Sequence, residues 1–149
     1  MVETITGSAF QKPMLGWSKT ESSRFGEDLV GGWLLRNGGL EEGLQKAKRI
    51  PIPEGGTLPI RTVDWLLGKR IAVEVKTYLH SVTKGDYLKV TRQFNDYSLW
   101  RDEKPTKRAV VLARVAWNGN SRIEELFRED LRHFRIPVLF FQWGQHDDR

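Results

Sequence analysis

The chain has 149 residues, a formal net charge of +5, 39% hydrophobic and 29% charged residues, and no cysteine. That length suits one domain with a substantial core, and the missing thiols exclude a disulfide scaffold, a thiolate zinc site, an iron–sulfur cluster and a cysteine nucleophile. No apolar run approaches the roughly 20 residues that span a bilayer, and Met1 to Phe10 lack the basic start and apolar stretch of a secretory leader, so a cytoplasmic protein with no membrane partner is expected.

Residues 1–21 show little periodicity and read as a flexible arm, with the domain over 22–143 and a polar tail over 144–149. Ser22 and Ser23 offer caps for a first helix. In that helix Phe25, Leu29, Trp33 and Arg36 recur at helical spacing, and Asn37-Gly38-Gly39 ends it. The pair Gly31-Gly32 costs about 1 kcal/mol per residue inside a helix relative to Ala; close packing against a sheet would account for it. Residues 44–53 look extended, and Pro53-Glu54-Gly55-Gly56 reads as a turn or mobile loop. Two strand-like runs follow, Ile60 to Leu67 and Ile71 to Tyr78, separated by Gly68-Lys69-Arg70.

Residues 86–100 suggest a second helix, Ala109 to Ala116 a strand, and Ser121 to Phe134 a third helix with Ile123, Leu126, Phe127, Leu131 and Phe134 on one stripe. Val138 to Trp143 is a final strand. This order implies an α/β domain with a mixed central β-sheet flanked by helices.

The hairpin carries the chemistry. Along Ile71-Ala72-Val73-Glu74-Val75-Lys76, alternation puts Glu74 and Lys76 on one face and the β-branched residues on the other. A three-residue loop sets Leu67 opposite Ile71, Trp65 opposite Val73 and Val63 opposite Val75, so one face becomes wholly apolar. The same register sets Asp64 opposite Glu74, with Cβ atoms about 5 Å apart. A two-residue loop would mix polar and apolar residues on both faces. Two carboxylates so placed repel unless a cation lies between them, and Mg²⁺ or Mn²⁺ is the hard, oxygen-seeking kind of cation that fits. Lys76, beside them, can orient or deprotonate an attacking water or meet developing negative charge. The bland alternative is a solvated strand face bearing ordinary ion pairs, each worth about 0.2–1 kcal/mol.

The constellation Asp64, then Glu74-Val75-Lys76 on the next strand, resembles the PD-(D/E)xK nuclease superfamily, although Val63 stands where that family commonly has proline. The resemblance extends to Gly26-Glu27 in the first helix. It also extends to Gln93-Phe94-Asn95-Asp96-Tyr97, similar to the Gln-x-x-x-Tyr of RecB-type exonucleases. It implies a restriction-endonuclease-like fold and a DNA phosphodiesterase. Asp64, Glu74, Glu27 and the Val75 carbonyl would bind metal, Lys76 would assist the water, and Gln93 would orient water or substrate.

A Holliday-junction resolvase, which would be a homodimer, and a homing or restriction endonuclease stay open. So do membership of a larger repair or recombination complex and a non-catalytic DNA-binding module. Lys84, Lys89, Arg92 and Tyr97 are candidates to contact DNA, with Lys46, Lys48 and Arg49 as a further patch or simply a basic strand edge. Tyr97 is equally a candidate for the core.

Overall fold

The turn Gly68-Lys69-Arg70 sets the register of the hairpin it closes. In a computed structural model, Gly68 takes φ +63°, Leu67 pairs with Ile71, and Trp65 pairs with Val73, as the apolar pattern requires. The structure describes residues 2–6, 18–39, 43–78, 83–101, 108–117, 129, 132 and 137–143. The elements are β1 (Val2–Thr6), α1 (Lys19–Leu34), β2 (Leu44–Pro51), β3 (Ile60–Leu67), β4 (Ile71–Tyr78), α2 (Lys84–Arg101), β5 (Ala109–Trp117) and β6 (Val138–Trp143).

They form a six-stranded mixed sheet in the order β1-β6-β5-β4-β3-β2. The pairs β2–β3 and β3–β4 are antiparallel, and β4–β5, β5–β6 and β1–β6 are parallel. Helix α2 makes the crossover that a parallel β4–β5 pair needs. Two apolar clusters lie on the sheet's two faces. One joins Val90, Phe94, Tyr97 and Trp100 of α2 to Leu66, Ala72, Val110 and Leu112. The other joins Val30 and Leu34 of α1 to Val73, Val75, Ala113 and Phe141. Each central strand therefore buries both its faces, and the fold is α/β with helices on either side of the sheet. Among the described residues no helix is long and apolar enough to cross a membrane.

Several expectations change. The stretch expected to be an arm holds strand β1, beside β6, and the start of α1. The helix cap is Ser18 rather than Ser22 or Ser23. Ser18 and Glu21 form a reciprocal capping box, and Ser22 is a buried residue within the helix. The helix ends as expected, through a wide turn over Leu35–Gly39 where Gly38 takes φ +119° and the Asn37 side chain donates to the Trp33 carbonyl at 2.8 Å. The expected third helix and the polar tail lie outside the described residues, apart from Glu129 and Arg132, which are helical.

The loop after β2 is pinned rather than mobile. Ile52 donates its N–H to the Pro59 carbonyl at 2.9 Å, Gly56 to Pro53 at 3.3 Å, and Thr57 is held by Asp96 of α2. Asp96 is fully buried and accepts from the Thr57 N–H at 2.7 Å, the Thr57 hydroxyl at 2.7 Å and the Arg61 Nε at 2.8 Å.

Candidate active site

Strand β3 loses its regular alternation at Asp64. Trp65 packs into the cluster under α1, yet Val63, two residues earlier, belongs to the cluster under α2. The expectation that Val63, Trp65 and Val75 share one apolar face therefore fails at Val63. The irregularity shows in both neighbouring strands. On one side the β3–β4 ladder pairs Leu67, Leu66 and Trp65 only. On the other, the β2 register passes from Lys46–Trp65 to Lys48–Val63 without an Ala47–Asp64 pair, and Ala47 takes φ +51°.

Asp64 thus faces Glu74 across a gap in the ladder, and its Oδ2 accepts the Val75 N–H at 2.7 Å. In a strand, one residue's N–H and C=O point to the same edge. The Val75 carbonyl is therefore directed toward β3, on the side of Asp64.

Glu74 is 4% exposed, and both its oxygens are engaged. Oε2 accepts from the Tyr97 hydroxyl at 2.9 Å, and Oε1 lies 3.4 Å from Lys76 Nζ. Tyr97 is fully buried and edge-on to Phe94, with ring centroids 5.3 Å apart. It supports Glu74 from beneath, so the expected DNA contact at Tyr97 gives way to a core position with a polar tip.

Glu27 comes to the same place because α1 approaches β4 closely. Gly26 lies against Thr77 and Gly31 against the Trp65 ring, and at either position a Cβ would overlap its neighbour. That explains Gly31; Gly32 meets only the end of the Arg36 side chain. The Trp65 Nε1–H donates to the Glu27 carbonyl at 2.9 Å and fixes the helix at this residue.

Burial destabilises the charged form of all three acids, and repulsion adds to it at Asp64 and Glu27. Burial, then repulsion from Glu74, pushes the Asp64 carboxyl up to about 7, against the Val75 N–H, Glu27 and Lys76. Burial raises Glu74 above the usual carboxylate range despite Lys76 and Tyr97. Burial and the nearby Asp64 raise Glu27. The buried phenol of Tyr97 is held far above its usual range by burial and by Glu74. Asp96 is the opposite case: burial pushes it up, but Thr57 and Arg61 outweigh that and hold it low.

Gln93 Oε1 is buried without a hydrogen-bond partner among the described residues. Lys89, Gln93 and Tyr97 follow at four-residue intervals, so they form a line along α2 that ends at Glu74. Lys84, Lys89 and Arg92 are exposed on that helix. Among the described residues no group of three or more acids or histidines is arranged to hold a metal ion outright. The donors that do converge are all oxygens: Asp64, Glu74 and the Val75 carbonyl, with Glu27 beside them.

The sequence did not reveal the Asp96–Thr57–Arg61 knot, the left-handed Ala47 or the Trp65–Glu27 tie. Each joins segments far apart in the chain or depends on a backbone angle, and no local pattern marks it. Comparison with protein-family models, with curated proteins and with solved structures finds no match.

Proposed function

We propose that this chain is a divalent-metal-dependent deoxyribonuclease of the PD-(D/E)xK class, with a restriction-endonuclease-like core. The observation that carries the reading is the gap at Asp64. There, two carboxylates from adjacent strands converge beside Lys76, with a third from α1, and every one of the three has its pKa raised. Such an arrangement is unfavourable for a mere structural cluster and favourable for binding positive charge.

A hard divalent cation fits the donors, since Mg²⁺ is usually held by one or two carboxylates with water and phosphate filling the remaining positions. When bound, it supplies charge against the phosphate and acidifies the attacking water. The chain's own groups do the rest. The partnerless Gln93 Oε1 would accept a hydrogen bond from that water and hold it in line with phosphorus. Lys76 presents its ammonium to the charge that builds on the phosphoryl oxygens. Tyr97 holds Glu74 so that its Oε1 side stays turned to Lys76 and the site. Water adds to phosphorus and gives one proton to solvent, the bond to one ribose oxygen breaks, and that oxygen takes up a proton from solvent as it leaves.

The Gln93 and Tyr97 pair favours a RecB-type end-processing exonuclease within the class. The test is cleavage of labelled linear duplex, single strand, closed circle and four-way junction with Mg²⁺ or Mn²⁺, beside Lys76→Ala and Asp64→Ala. Metal-dependent cutting of ends with circles spared, lost in both variants, is the expected result. Paired nicks at the junction would move the reading to a resolvase. DNA binding without cleavage of any substrate would replace it with a binding module.

A further inference from the structure

Strand β2 is the outer edge of the sheet on the side of the acids, and it is a poor template for another strand. Lys46, Ala47, Lys48 and Arg49 are all exposed. Ala47 leaves strand geometry at φ +51°, and Pro51 ends the element. Lysines, a kink and a proline along an edge oppose pairing with a second β-strand.

The same residues flank the site. The register puts Lys46 beside Trp65 and Lys48 beside Val63, so the two lysines straddle the position of Asp64 one strand away, a distance of about 5 Å between neighbouring strands. Lys46 is held there, with its Nζ 3.6 Å from Asp28 Oδ1 and 5.7 Å from the centre of the Trp65 ring. Lys48 and Arg49 have no ion-pair partner among the described residues. A site made of carboxylates repels a DNA strand, and cations placed directly beside it offset that repulsion.

We infer that the edge of β2 grips the phosphate backbone of a DNA strand next to the acid cluster, with Lys48 on the α2 side of the sheet and Arg49 and Lys46 on the α1 side. The choice of DNA as the polyanion rests on the nuclease reading. Lys46 to Arg49 spans roughly 10 Å of strand, the rise along the duplex axis of about three phosphates of one DNA strand. Contacts of this kind fix position without reading sequence.

The test is binding of a short labelled DNA duplex in Ca²⁺ across a salt series, for the wild type, for Lys48→Ala with Arg49→Ala, and for Lys69→Ala with Arg70→Ala. The last pair removes equal charge from the exposed β3–β4 turn. The β2 variant is expected to bind at least about tenfold more weakly at low salt, with a log–log salt slope shallower by about 1–2, while the turn variant keeps the wild-type slope. Equal loss in both variants would reduce the effect to net charge and overturn the inference. So would wild-type binding by the β2 variant, or no duplex binding by the wild type. Cleavage in Mg²⁺ is scored separately. A chain that grips DNA through β2 but cuts nothing keeps this inference and loses the nuclease reading. A chain that cuts while the β2 variant binds normally does the reverse.

Discussion

Asp96 of helix α2 and Glu74 of the strand beneath it are 0% and 4% exposed, and their surroundings treat the negative charge in opposite ways. Asp96 accepts three hydrogen bonds, one of them from a guanidinium, and its pKa is held low. Glu74 also has two partners, yet the desolvation of its deep burial outweighs them, and its pKa is raised. A buried charge that is fully paired fixes structure, whereas one left short of positive charge can receive a ligand. The contrast sets a structural acid of α2 apart from the β4 acid proposed to bind metal, although both meet the same helix.

The strongest way to break the contrast is through activity. Lys76→Ala should lower the cleavage rate by on the order of 10²–10³, measured where the variant is shown to be folded, because it also takes the ammonium from buried Glu74; a rate within a fewfold of wild type would remove Lys76 from the chemistry. Asp96→Ala should do its damage in stability instead. It leaves Arg61 half-buried without its carboxylate, a loss of about 3–5 kcal/mol in chemical denaturation. The Asp96 contribution should hold above the unfolded carboxyl pKa of about 3.9 and vanish as pH falls through the lower folded value. A variant as stable as wild type would show the knot to be incidental.

The acid cluster has the opposite pH signature. A folded pKa of about 7 for Asp64 means that the unfolded chain releases this proton first as pH rises. Metal-free protein should therefore lose stability between about pH 4 and pH 7 and stay flat above. Asp64→Asn should stabilise it at pH 8 by on the order of 2–4 kcal/mol, and excess Mg²⁺ should stabilise the wild type but not the variant. If denaturation curves at pH 5 and pH 8 coincide, the cluster is not strained. The smallest expected effect is at Tyr97→Phe, which removes one hydrogen bond to a buried carboxylate. It should cost about 1.5–3 kcal/mol of stability and weaken Mg²⁺ binding in calorimetry. Unchanged metal affinity would leave Tyr97 a packing residue.

Much of the sheet was legible because it is written locally. The limits Ile60–Leu67, Ile71–Tyr78 and Val138–Trp143 follow from apolar alternation and turn residues, and so does the Leu67–Ile71 register. Gly31 was open to interpretation as a close contact, and the Trp65 ring against it supplies the reason. What escaped was long-range or conformational. Val2–Thr6 looks aimless until β6 is beside it. Nothing near Asp96 announces Thr57, 39 residues away. The assumption of even alternation carried Val63 to the wrong face, because the break at Asp64 depends on the gap between strands rather than on residue type.

The pairing of Val2 with Val138 has a kinetic meaning. Asp64, Glu74 and Lys76 belong to one hairpin, whose closure needs only a short loop, so this part of the sheet can form early and cheaply. Strand β1 leaves the ribosome well before its partner, since Val2 and Val138 lie 136 residues apart in the chain. It must wait, unpaired, while the intervening residues emerge, and an open strand is then exposed to other nascent chains. The acidic hairpin is thus suited to nucleate folding, and the β1–β6 pair to complete it. Slow refolding and concentration-dependent aggregation are to be expected from the sheet edge farthest from the chemistry.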